Sequence, residues 1–133
     1  MAATINFKKE VRGSVEQTVA KVTEALQSEG FGVLTRIDFD QKVKEKLGKE
    51  IKPVVILGAC NPQLALDAFL HNADVTSLLP CNAVVREVGN GIVSIEIAKP
   101  TALMKILEDQ KLVELARDAD KKLENVIEKI RSL

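Results

Sequence analysis

The chain has 133 residues, 46% of them apolar and 29% charged, which is the amount and mix of one soluble globular domain spanning residues 1–133. Nineteen basic residues balance nineteen acidic ones, and Trp and Tyr are absent, which excludes the electrostatic footprint and the aromatic platform of a nucleic-acid binder. Two cysteines make no disulfide framework, no apolar run reaches the ~18 residues of a membrane span, and no basic-then-apolar leader opens the chain; the expectation is a cytoplasmic protein with no membrane partner.

Ile5, Phe7 and Val11 alternate with polar residues, with Lys9 interrupting the apolar series, and predict a first strand. Ser14 then offers a helix N-cap, with Gln17 three residues on as its capping-box partner. Val15, Val19, Val22 and Leu26 form the apolar face of that helix, and Gly30 and Gly32 end it. Val33, Thr35, Ile37 and Phe39 alternate with Leu34, Arg36 and Asp38, predicting a half-buried strand. The charged stretch Asp40 to Leu47 predicts a short helix stopped by Gly48. Val54-Val55-Ile56-Leu57 is apolar on both faces and predicts a central strand.

Asn61 reads as an N-cap and Pro62 as a first helical residue. The helix they open, Leu64 to Leu70, is apolar on most sides and is expected to be buried. Val84 to Val88 and Ile92 to Ile97 predict a hairpin around Gly89-Asn90-Gly91. Pro100 starts a helical stretch to Leu107. Leu112, Leu115, Ala116, Ala119, Leu123, Val126, Ile127 and Ile130 then repeat at helical spacing over about five turns. The predicted architecture is α+β: a curved, mostly antiparallel sheet of about five strands, helices packed on one face, and a long C-terminal helix.

Two short motifs share a grammar: Cys60-Asn61-Pro62 and Pro80-Cys81-Asn82. The first falls between a strand end and a helix start, where free N–H groups and the helix dipole favour negative charge. A thiol there is expected to have a lowered pKa and to be nucleophilic near neutral pH. Neighbouring strand ends would bring Cys81 close to it. Three readings of the pair remain open: packed core cysteines, ligand-contacting or reactive thiols, and a metal site. A structural zinc site wants four Cys or His ligands, and the chain offers only Cys60, Cys81 and the single His71. Copper(I) can be held by two thiolates alone. His71 falls late in the helix that Cys60 precedes, about 15 Å away along a ten-residue helix, which argues against a Cys–His catalytic pair.

Glu87 and Glu96 fall on paired strands and are expected to share one sheet face with Ser94, as an acid–base pair or as a solvated face balanced by Arg86 and Lys99. No nucleophile elbow, phosphate loop or dinucleotide fingerprint is present, so no cofactor, catalytic residue or metal ligand is assigned.

Ile56-Leu57-Gly58-Ala59-Cys60-Asn61-Pro62 and Leu78-Leu79-Pro80-Cys81-Asn82, flanked by Lys44-Glu45-Lys46-Leu47-Gly48 and Val84-Val85-Arg86-Glu87, resemble the paired signatures of the domain-of-unknown-function 302 family. The resemblance implies a small α+β domain similar to the TATA-binding-protein-like fold, often a homodimer, with no established activity. It strengthens a functional role for Cys60, Asn61, Cys81 and Asn82. The leading expectation is a non-enzymatic module binding a small molecule or a thiol at those four residues. The alternatives are a thiol-dependent redox enzyme using Cys60, and a homodimeric interaction protein.

Overall fold

The computed structural model describes residues 5–132. Five strands, β1 (Asn6–Arg12), β2 (Gly32–Asp38), β3 (Val54–Cys60), β4 (Cys81–Gly89) and β5 (Ile92–Ala98), form one sheet in the order β1-β5-β4-β3-β2. Every neighbouring pair is antiparallel. The helices are α1 (Val15–Ser28), α2 (Phe39–Leu47), α3 (Pro62–His71), α4 (Pro100–Met104) and α5 (Gln110–Lys129), with 3-10 turns at Ala73–Leu78 and Lys105–Leu107. This is the expected α+β architecture with a long C-terminal helix.

The local signals act as the sequence suggests. The Ser14 hydroxyl accepts from the Gln17 N–H at 3.1 Å while the Gln17 side chain returns to the Ser14 N–H at 3.4 Å, closing the capping box. Gly48 ends α2 in the left-handed region at φ 67°. The hairpin turns at Asn90-Gly91, with Gly91 at φ 70°.

Alternation along each strand divides the sheet into two faces. Val55, Leu57, Ala59, Ala83, Val85, Val93, Ile95 and Ile97 are buried on one face, in a cluster with Val19, Val22 and Leu26 of α1 and Leu123, Val126 and Ile127 of α5. Lys9 belongs to this face by register, opposite Ile95, and its Nζ donates to the Ile127 carbonyl at 3.4 Å near the end of α5. That explains a lysine in an apolar series: it meets the negative end of a helix. On the other face one row crosses all five strands, Ile37–Ile56–Val84–Glu96–Lys8. A second, smaller cluster of Val75, Met104, Leu112, Val113 and Ala116 fills the end of the molecule between α3, α4 and α5.

Two expectations are corrected. No residue of α3 is buried, and Leu66, Phe69 and Leu70 are exposed by 48%, 43% and 72%. The helix is docked through the side bearing Leu64, Ala65 and Ala68, and its remaining apolar side chains face outward. The second strand is not half-buried either. As an edge strand it is partly covered at Val33, which packs on the core, and at its last residue Asp38, while Leu34 and Ile37 are exposed. Phe39, predicted as its last residue, opens α2 instead.

Candidate functional site

The β3–α3 junction carries the first cysteine motif. Asn61 is extended at φ −100°, its side-chain oxygen accepts from the Leu64 N–H at 3.2 Å, and Pro62 occupies the first helical turn, where its missing N–H costs nothing. Close packing holds Asn61 from behind: a β-carbon at Gly30 would lie 3.0 Å from its Nδ2. Gly30 itself has φ 84°, which favours glycine.

Cys81 opens β4 directly opposite Ala59, so the two cysteines are one residue out of direct register. Cys60, Asn61 and Cys81 line one cavity of about 60 Å³. Its other walls are almost wholly apolar, from Phe31, Leu64, Val75, Met104 and the inner side of α5. The cavity lies at the seam of the two apolar clusters, which is why neither cluster fills it.

Both cysteines are free, half-buried thiols. Burial pushes the Cys60 pKa above the ordinary thiol value, the opposite direction from the lowering expected at a helix start. Burial, then the neighbouring charges of Cys60 and Asp120, pushes Cys81 up to about 11. The dipole of α3 is present, but the Asn61 oxygen already takes the Leu64 N–H, and the apolar walls disfavour an unpaired charge.

Asn82 stands apart from the other three predicted residues. Strand alternation turns it to the opposite sheet face, where it lines a groove with Pro80, Val84 and Glu96. The structure therefore brings together Cys60, Asn61 and Cys81, and adds Met104 and Phe31, which the sequence reading missed. Met104 is the one methionine inside the chain, but no local pattern ties it to the cysteine motifs.

A family model described as domain of unknown function DUF302 matches residues 7–130, from β1 to the end of α5 and across both cysteine motifs. The chain belongs to the DUF302 family. No curated protein matches it. The crystal structure of an uncharacterized conserved DUF302 protein from Bacillus stearothermophilus is similar, with a TM-score of 0.90 and 35% identity over 97% of this chain and 100% of that one.

Elsewhere in this DUF302 chain the remaining candidates make contacts away from the cavity. His71 ends α3, at the opposite end from Cys60, and its Nε2 lies 3.1 Å from both carboxylate oxygens of Asp109. Asp109 is the N-cap of α5, accepting from the N–H groups of Lys111 and Leu112. Burial alone would raise its pKa, but hydrogen bonds from Asn72, Leu112 and His71 hold it below the usual carboxylate range. Glu87 and Glu96 do not share a face: Arg86 pairs with Ser94 and Glu87 with Val93, which sends the two carboxylates to opposite sides of the sheet. Glu96 instead accepts from Arg86 at 2.9 Å and Ser94 at 3.1 Å and meets Lys8 at 3.3 Å. Lys99, expected to balance that face, sits over the Phe7 ring at 5.1 Å. No helix among the described residues is long and apolar enough to cross a membrane.

Proposed function

We propose that this DUF302 domain is a non-enzymatic binding module whose ligand is small and soft enough to meet two thiols in an apolar hollow. One observation carries the reading: Cys60 and Cys81, from separate motifs 21 positions apart, line the same cavity. Cys60 and Cys81 contact the ligand, and Asn61 fixes the turn that presents Cys60. The raised thiol pKa values count against the redox-enzyme alternative, because a resting thiolate is the attacking species in such chemistry. The test is alkylation of both cysteines, resolved by peptide mass spectrometry, on protein with the cavity occupied by xenon under pressure and on unloaded protein. Slower labelling of Cys81 in the loaded protein supports the reading. Identical rates with and without xenon, together with no xenon density at the cavity, overturn it.

A second reading concerns the partner. Ile37, Ile56 and Val84 lie side by side on the face that α1 and α5 leave alone, and Leu34 is exposed on the same edge. We propose that this apolar strip pairs two copies of the chain, with the Glu96 cluster beside it setting the register. Light scattering at micromolar concentration tests it, since a particle of only 14.5 kDa would remove the dimer.

A further inference from the structure

Two helices wall the cavity with alanines, Ala65 and Ala68 from α3 and Ala116 and Ala119 from α5. Their spacing puts each pair on one side of its helix. Ala116 and Ala119 are buried, whereas no residue of α3 is. We propose that the cavity takes the end of an unbranched aliphatic chain, and that α3 is the wall that yields to admit it. The inference rests on the reading of the cavity as a ligand site and names the ligand class.

Polarity decides first. The lining is almost wholly apolar, and every buried side-chain nitrogen and oxygen among the described residues has a hydrogen-bond partner. The one amide in the walls, Asn61, has its oxygen on the Leu64 N–H. Burial raises both thiols above their ordinary 9.0, so neither carries charge near neutral pH. Such a cavity stays dry and offers a ligand dispersion contacts alone. Ions and hydrogen-bonding head groups are excluded from its interior.

Size decides next. At about 60 Å³ the cavity has less than half the volume of the ~150 Å³ cavities that admit benzene, so a ring does not fit. In the same measure one water needs ~10–15 Å³, which leaves room for about four atoms of that size. One-carbon side chains on both helices leave a slot for a chain without branches. Met104, 5% exposed, adds an adaptable, unbranched side chain to the wall.

Anchoring decides the route. The α3 helix is hydrogen-bonded at its two ends. Asn61 caps its start; beyond its end Asn72 donates to Asp109 at 3.2 Å, and His71 Nε2 lies 3.1 Å from the same carboxylate. Between those ends it docks through Leu64, Ala65 and Ala68, each half-buried, while Leu66, Phe69 and Leu70 face outward. A segment with few buried apolar contacts opens at low cost.

The experiment is alkylation of Cys81 in reduced protein with n-butanol, n-octanol, tert-butanol or benzene present, read by peptide mass spectrometry. At about ten times its dissociation constant n-butanol should slow labelling about tenfold, because only the unoccupied cavity admits the reagent. Its branched isomer tert-butanol, and benzene, should leave the rate unchanged. Protection by n-octanol as well assigns the site to the end of a longer chain, and protection by n-butanol alone assigns it to a free short one. Ala68→Leu fills the slot from the half-exposed helix and should abolish protection; Ala65→Leu replaces it if circular dichroism shows the first variant unfolded. Amide exchange in α3 should slow when n-butanol binds. Equal protection by tert-butanol or benzene overturns the proposal, as does protection that survives in a folded leucine variant. Unchanged exchange in α3 overturns the entry route. If xenon shields Cys81 and n-butanol does not, the chain fails and the cavity reading stands. If neither shields it, both readings fall.

Discussion

A β-carbon placed on Gly58 would lie 2.8 Å from Cγ of Pro80 and 2.3 Å from the Thr35 hydroxyl oxygen. Real β-carbons do not approach that closely, so the two motifs are locked by a contact that only glycine allows. Gly58→Ala should therefore destabilise by roughly 1–3 kcal/mol, the usual cost of forcing a methyl group into a packed site. Urea unfolding of the variant measures it, and an unchanged midpoint would show that Pro80 moves aside freely.

Thiol titration is the next expectation. The half-point for alkylation of Cys81 should lie near 11, above the ordinary 9.0, with Cys60 displaced in the same direction. The sign for stability follows. A thiol raised in the folded state favours folding below pH 9.0, and that contribution is lost as pH climbs through about 11. Unfolding midpoints should fall over this window in the native chain and fall less in Cys81→Ala. A Cys60 half-point below the ordinary thiol value would restore the activated-thiolate reading.

The Glu96 cluster gives the acid limb. Arg86 first, then Ser94, holds the Glu96 carboxyl below its ordinary value against the opposing effect of burial. Its contribution is present above the ordinary carboxylate pKa of 4.5 and disappears as pH falls through the lower folded value. Glu96→Gln should lower stability at neutral pH and flatten the acid dependence below 4.5. Parallel pH-dependent denaturation of the two proteins checks both halves.

Asn61 and Asn82 should behave differently despite their matching motifs. Asn61→Ala removes the α3 cap and should cost about 1 kcal/mol, the typical value for an N-cap asparagine. It should also speed labelling of Cys60. Asn82→Ala lies on the other face and should leave the labelling rates of both cysteines unchanged. Equal effects of the two variants would contradict the division of the motif residues between two faces.

A charge on the apolar strip tests the partner surface. Ile37→Glu changes a side chain that is already 45% exposed, so a shift from dimer to monomer in light scattering would report on association rather than folding. A dimer that persists in this variant would place the interface elsewhere.

Local chemistry was enough to read most of the framework. Ser14 with Gln17, Asn61 with Pro62, and Gly48 and Gly91 act through neighbours within a few residues, so their roles are written in the sequence itself. The eight-residue apolar repeat of α5 likewise has one way to be buried, and Leu112, Ala116, Ala119, Leu123, Val126 and Ile127 are all inside. The same local reading also placed Cys60 at a helix start and Cys81 at a strand start.

Tertiary structure decided what those positions mean. Exposure of α3 depends on which neighbours reach it: an apolar segment shows that burial is available, and the packing left Phe69 and Leu70 at the surface. Asn82 and Cys81 are adjacent in sequence but face opposite ways, because pleating alternates side chains and only pairing with β3 says which face holds the cavity. Glu87 and Glu96 parted for the same reason. The sign of the Cys60 shift was also out of reach, since the helix dipole is a local term whereas desolvation comes from walls contributed by β4, α4 and α5. Met104 comes to the cavity lined by Cys60 and Cys81 only there, because a cavity is the space left between elements and no single element encodes it.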